Sequence, residues 1–245
     1  MPALTRPSAA ARRFVARPFV ARLAAVSLAA ATLAAPAHAN IVLSQVVVDF
    51  TAGSDLAQDI EVANDGKDVA YVAVAPFEIT APGTPEERRT AIVDPEAGGL
   101  LVSPQRLILQ PGERKAIRVA AIRPRAATDR VYRVTVKPVA GPVSATVTAL
   151  KLLIGYDVLV IQRPAAPASR VVATRAGETL LLRNEGNTNT ELYDGKLCAD
   201  ASPASCRALP SRRLYPGATW SQTLPGPGKV TYKVAVGASS HEERF

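Results

Sequence analysis

The side chains able to do chemistry are few, and their placement excludes more than it allows. Beyond residue 39 the only imidazole is His241, four residues from the C-terminus. A Ser-His-Asp or Cys-His arrangement therefore has no general base at a usable position. Cys198 and Cys206 have seven residues between them, with no second cysteine pair and no further histidine to complete a zinc site. Adjacent carboxylates occur in Pro85-Glu86-Glu87-Arg88-Arg89, but the proline and the interleaved arginines mark a solvated charge cluster in a loop rather than an acid/base pair. No glycine-rich loop follows a strand and opens a helix, so nucleotide binding has no support. The expectation is no enzyme, no cofactor and no metal, which leaves a binding or assembly protein.

The elements that must carry such a function begin after a leader. Arg6, Arg12, Arg13, Arg17 and Arg22 precede an apolar run from Leu23 to Ala35, and Ala37-His38-Ala39 offers a small-x-small cleavage site. Residues 1–39 read as a secretory signal peptide, with the mature chain starting at Asn40. The apolar run is about 13 residues, short of the roughly 20 needed to span a bilayer. Setting aside the five leader arginines, 24 of the 29 basic residues remain against 21 acidic ones, a net charge of about +3. That balance gives no argument for nucleic acid. An exported chain meets an oxidising compartment, so Cys198 and Cys206 are expected to form a disulfide. Closing so short a loop contributes about 2.5 kcal/mol by the chain-entropy relation, a hairpin staple rather than a clamp on the whole fold.

The composition beyond the leader is that of a β-protein. Strands are expected near Ile41 to Phe50, Ala57 to Asn64, Val69 to Glu78, Gln105 to Leu109, Arg114 to Ile122, Arg130 to Lys137 and Thr146 to Ile161. Asn64-Asp65-Gly66-Lys67, Gln110-Pro111-Gly112-Glu113 and Ala140-Gly141-Pro142 supply turn chemistry between them. This pattern over residues 40–162 describes an immunoglobulin-like sandwich. Residues 163–169 read as a Pro-rich linker, and residues 170–245 as a smaller β-domain. Its strands are expected at Thr179 to Asn184, Leu192 to Cys198, Arg213 to Tyr215 and Lys229 to Val236, with Asn184-Glu185-Gly186-Asn187 and Pro216-Gly217 as turns. The run from Leu150 to Pro164 poses the sharpest question. Leu150, Leu152 and Ile154 share one face while Leu153 lies on the other, and Tyr156, Val158, Leu159, Val160 and Ile161 follow. Both faces need cover, from the chain's own core or from another chain.

Four blocks carry a resemblance: Leu101 to Arg106, Leu109 to Glu113 with Ile117-Arg118-Val119, Asp129 to Arg133, and Tyr156 through Arg163-Pro164. In order and spacing they resemble the periplasmic pilus (fimbrial) assembly chaperones of the chaperone-usher pathway, and Arg183 to Asn187 followed by Tyr215-Pro216-Gly217 is similar to that family's second domain. The resemblance implies an all-β protein of two immunoglobulin-like β-sandwich domains in an L-shaped (boomerang) arrangement. It also implies periplasmic location, capture of pilus subunits by donor-strand complementation and delivery to an outer-membrane usher, without membrane insertion.

By the same resemblance the lent strand is the Leu150 to Ile161 run, with Leu150, Leu152 and Ile154 filling the subunit's groove. Fully burying three such side chains contributes roughly 4.5 to 9 kcal/mol as an upper bound. The residues alone leave open that this face is private core, because Lys151 lies opposite it. The best-known branch of the family holds the subunit's terminal carboxylate with an Arg in the first strand and a Lys just before the Arg-Pro. The matching positions here are Val47 and Leu159. The divergent, archaic branch instead places an Arg after a Tyr in the preceding strand, which makes Arg133, after Tyr132, the anchor candidate. A secreted structural pilus subunit or adhesin, with Ile41 to Phe50 as a donated strand, is the alternative reading. A free chaperone with so apolar a strand has reason to self-associate weakly.

Overall fold

In a computed structural model the described residues are 41–139, 153–199 and 205–245, and they lie within one compact unit, Ala39–Phe245. The first half forms β1 (Val42–Leu43), β2 (Val47–Phe50), β3 (Ala57–Ala63), β4 (Ala70–Thr80), β5 (Arg88–Ala91), β6 (Leu100–Ser103), β7 (Arg106–Leu109), β8 (Arg114–Ala121), β9 (Arg130–Val139) and β10 (Tyr156–Gln162). One short helix, α1 (Pro95–Gly98), lies between β5 and β6. One sheet runs β1-β3-β8-β6; the other runs β2-β10-β9-β4-β5, with β7 also on β4. Period-two alternation points Ile60 and Val62 of β3, Ile117 and Val119 of β8, Val72 and Val74 of β4, and Val134 and Val136 of β9 into one shared core. The result is the expected immunoglobulin-like sandwich.

The second half forms β11 (Val171–Ala176), β12 (Thr179–Asn184), β13 (Thr190–Cys198), β14 (Cys206–Leu209), β15 (Arg212–Leu214), β16 (Thr219–Thr223), β17 (Lys229–Val236) and β18 (Ser239–Arg244). Its sheets run β11-β12-β16 and β14-β13-β17-β18, with β15 on β13. Leu180, Leu182, Leu192, Leu197, Val230 and Tyr232 fill the space between them. Cys198 and Cys206 are register partners on β13 and β14 and are joined by a disulfide of 2.00 Å, the hairpin staple the spacing predicts.

The two sandwiches share a corner, atom for atom. In the first, Asn64 Nδ2 donates to the carbonyls of Asp68 (2.8 Å) and Leu109 (3.0 Å), while Asn64 Oδ1 accepts from Gly66 N (3.0 Å). In the second, Asn184 Nδ2 donates to Thr188 (2.8 Å) and Leu214 (2.9 Å), and its Oδ1 accepts from Gly186 N (2.8 Å). Backbone bonds repeat too: Gly112 N donates to Asn64 O and Gly217 N to Asn184 O, each at 2.8 Å. Both glycines sit at positive φ, 77° and 79°, where a side chain is strained. An Asn-x-Gly turn thus docks on a Pro-Gly turn twice over.

Several expected boundaries move. The strand expected over Ile41 to Phe50 breaks at Ser44, because the chain crosses between sheets: β1 pairs antiparallel with β3, and β2 pairs parallel with β10. Ser44 makes the crossing, its N–H donating to Glu61 O (2.9 Å) and its Oγ accepting from Glu61 N (3.0 Å). β5 falls on Arg88 and Arg89, where the sequence reads as a loop, and β6 also lies outside the expected strands. Arg163 and Pro164, the first residues of the expected linker, are buried. Leu150 and Leu152 lie outside the described residues. Among the described residues no helix is long and apolar enough to cross a membrane.

Candidate functional site

β10 is the element the site is built on, and its two ends differ. At its C-terminal end Val158 and Val160 enter the first core, while Leu159 and Ile161 pack with Ile79, Val131, Tyr215 and Ala218. The last two residues belong to the second sandwich. Both faces of this end are therefore covered by the chain itself. The reason is the second domain's corner, which the sequence pattern did not locate.

The N-terminal end of β10 is open. β2 joins only at Leu159, whose N–H donates to Val46 O (3.0 Å) and whose register partner is Val47. Ahead of that point Tyr156, Asp157 and Val158 pair with Val136, Thr135 and Val134 of β9 on one side, and no strand among the described residues takes the other. An unpaired edge of this kind is a template for another chain. Ile154, just before it, is 59% exposed, and Tyr156 is fixed by donating its hydroxyl to Ile41 O (3.0 Å).

Where the open edge stops, a row of register partners crosses the sheet: Phe77, Arg133, Leu159 and Val47. Val47 and Leu159, the two positions that the resemblance matches to the best-known anchor, are thus neighbours, and both are apolar. Arg133 is the cation beside them. It is held loosely, donating from Nη1 to Asp157 O at 3.3 Å, with Nε 3.8 Å from Asp157 Oδ2. Tyr132, its sequence neighbour, is wholly buried in the first core. Arg133 opens onto a cleft of about 330 Å³ shared by both sandwiches, lined also by Leu159, Glu87, Arg212, Arg213 and Tyr215. Burial pushes the Tyr215 phenol up, and the positive charges of Arg133 and Arg213 oppose that shift. Arg212 pairs with Leu192 through the β-ladder, and among the described residues its side chain has no hydrogen-bond or ion-pair partner. The cleft is net cationic.

Beneath the cleft a polar joint ties the sandwiches together. Arg163 is 2% exposed. Its Nε lies 2.8 and 3.0 Å from the two oxygens of Asp49, Nη2 donates to Asp49 Oδ2 (2.8 Å), and Nη1 donates to Thr188 Oγ1 (2.6 Å) and Asn189 O (3.2 Å). Asp129 accepts at Oδ2 from the backbone and side-chain nitrogens of Asn189. Burial raises the Asp129 carboxyl above the usual range, against the pull of the Asn189 donors. Arg125 closes the joint by donating to four carbonyls: Phe50 (2.7 Å), Thr51 (2.6 Å), Ser54 (3.2 Å) and Arg163 (2.8 Å). Sequence reasoning passed over Arg125 and Asp49; Asp129 and the Arg163-Pro164 pair lay within the blocks that carried the resemblance.

No family model matches the chain. Among curated proteins it is 26% identical to a fimbrial subunit of the CS1 system of Escherichia coli over 194 residues, covering 75% of this chain and 80% of that one. It is 28% identical to a fimbrial subunit of the CFA/I system of Escherichia coli over 175 residues, or 68% and 71% of the two chains. Among solved structures, the class 5 fimbriae chaperone CfaA superposes with a TM-score of 0.63 at 21% identity, over 84% of this chain and 98% of CfaA. The fold is that of a pilus chaperone. A chaperone-tip adhesion subunit complex, CsuC-CsuE, from the archaic Csu pili of Acinetobacter baumannii also matches, at 14% identity and a TM-score of 0.59 over 84% of this chain and 98% of the matched one. That fold accounts for both sandwiches.

Proposed function

We propose that this protein is a periplasmic chaperone that captures pilus subunits by lending them the edge of β10 and passes them to an outer-membrane usher. The observation that carries the reading is an unpaired strand edge that ends at a loosely held cation. A strand added to Tyr156–Val158 must stop where β2 takes over, at Val46 and Leu159. Arg133 lies on the adjoining strand at that point, and a guanidinium favours a carboxylate. The added strand accordingly runs parallel to β10, with its C-terminus in the cleft. Ile154, with Leu150 and Leu152 on the run leading into the edge, supplies apolar side chains for the subunit's groove. Residues 1–39 act as the leader, 40–162 as the subunit-binding domain and 170–245 as the domain that walls the cleft. Binding is stoichiometric and involves no chemical step.

Co-expression with a pilus subunit encoded beside it tests this. Soluble one-to-one complexes are expected, and Arg133→Ala should weaken them by about tenfold to a hundredfold, the scale of a charged hydrogen bond, while the free protein stays folded. A subunit equally soluble without the protein would falsify the reading.

A further inference from the structure

Asp157 is the carboxylate best placed to occupy Arg133, and something holds it away. Arg89 takes it in two parallel bonds, Nη1 to Oδ2 at 3.0 Å and Nη2 to Oδ1 at 2.7 Å. The geometry is unusual in its reach. β5, β4, β9 and β10 are successive neighbours in the sheet, so Arg89 bridges three strand spacings, about 14 Å between backbones. Its guanidinium crosses that span over the ring of Phe77, 4.2 Å from the centroid, which fixes the plane of the fork. Arg133 lies between the two partners and receives only the 3.3 Å carbonyl contact and the 3.8 Å carboxylate approach. Of the other charges of the cleft, Glu87 and Arg213 are committed elsewhere, and the Arg212 side chain is out of the contacts that Asp157 makes. Glu87 Oε2 accepts from Gly83 N (2.6 Å), and Arg213 pairs with Glu191.

We propose that Arg89 is a positioning residue for the Arg133 anchor: by holding the Asp157 carboxylate in a bidentate pair over Phe77, it leaves the Arg133 guanidinium free for the C-terminal carboxylate of a captured chain. This rests on the chaperone reading above. Two like cations and one carboxylate leave one positive charge unanswered, and the geometry assigns that charge to Arg133. Remove Arg89, and Asp157 needs only a side-chain rotation to close on Arg133 and occupy the anchor.

The test has one readout in the free protein and one in the complex. In the free protein, the Arg133 Nε–H resonance should shift and its solvent exchange should slow in Arg89→Ala. Neither change should occur in Arg89→Ala/Asp157→Asn, where no carboxylate remains to close. In co-expression with the neighbouring pilus subunit, Arg89→Ala should lower capture by about fivefold, the scale of one exposed ion pair, with Asp157→Asn restoring it. An unmoved Arg133 resonance in Arg89→Ala, or a capture loss that Asp157→Asn does not rescue, overturns the proposal. If the free-protein shift appears while Arg133→Ala captures as well as wild type, the positioning holds and it is the anchor reading that fails.

Discussion

The corners at Asn64 and Asn184 make the same hydrogen bonds and face different surroundings. Between the leucine and the proline of the Pro-Gly turn, the first corner has Gln110, which is exposed, and the second has Tyr215, which is buried. After the glycine the first has Glu113, half-buried, and the second has Ala218, buried. Tyr215 and Ala218 rest on Leu159 and Ile161 of β10, whereas Gln110 and Glu113 touch no second sandwich. The backbone device makes the fold, and two side-chain differences seat one copy of it on β10, with Tyr215 lining the cationic cleft. The lesson is that this corner can take on a second packing partner at small structural cost, because its hydrogen bonds reside in the asparagine and the glycines.

Removing the shared device should have the largest effect. Asn64→Ala and Asn184→Ala each delete two side-chain donor bonds, leaving unpaired the buried carbonyl of Leu109 at the first corner and those of Thr188 and Leu214 at the second, which costs about 2–4 kcal/mol. Urea unfolding followed by far-UV circular dichroism should give similar losses for the two variants. Trp220, the only tryptophan, lies in the second sandwich and should report the Asn184→Ala loss by fluorescence at an earlier midpoint. A loss at one corner and none at the other breaks the equivalence.

Exchanging the differing side chains comes next. Tyr215→Gln should cost about 2 kcal/mol through lost burial against Leu159 and Ile161, while Gln110→Tyr at an exposed site should change stability by under about 0.5 kcal/mol. The Tyr215 variant should also uncouple the sandwiches, so that Trp220 fluorescence and total circular dichroism no longer coincide. Coincident transitions would mean that the Arg163 joint alone makes the two sandwiches cooperative.

Much of this was legible in the sequence, for reasons that particular residues explain. The two Asn-x-Gly and Pro-Gly turns stand out because local chemistry dictates them, and the hairpin staple follows from the spacing of Cys198 and Cys206. Docking of one turn on the other is a tertiary fact, and no local pattern carries it. β5 was hidden because an edge strand with four exposed residues has no apolar alternation to read. Arg133 was legible only by resemblance, since a half-exposed strand arginine has no signature of its own. Arg89 was masked by its neighbours: Glu86, Glu87 and Arg88 make it look like one more solvated charge, and only the fold brings Asp157 beneath it. The pairing of Leu159 with the second sandwich was illegible for the opposite reason, because a continuous apolar run looks the same whichever surface covers it.

The smallest effect concerns Asp129, which lies beside the second corner and has no counterpart at the first. Its Oδ2 accepts two bonds from Asn189, while Oδ1 is buried with no hydrogen-bond partner among the described residues. Burial raises this carboxyl above 3.8, so within the interval between the unfolded and folded values the folded state binds the proton more readily than the unfolded state does. Stability from this group therefore falls as pH rises through the folded value and is recovered as pH falls back towards 3.8. Asp129→Asn removes the titration and retains an oxygen to accept from Asn189. On acidification from neutral pH towards 4, wild type should gain stability relative to Asp129→Asn, a trend opposite to that of a salt-bridged carboxylate. Urea midpoints of the two proteins at several pH values measure it. A difference that stays constant with pH would show that Asp129 reaches water at the joint, and that the second corner seals the sandwiches less tightly than the burial of Tyr215 and Ala218 requires.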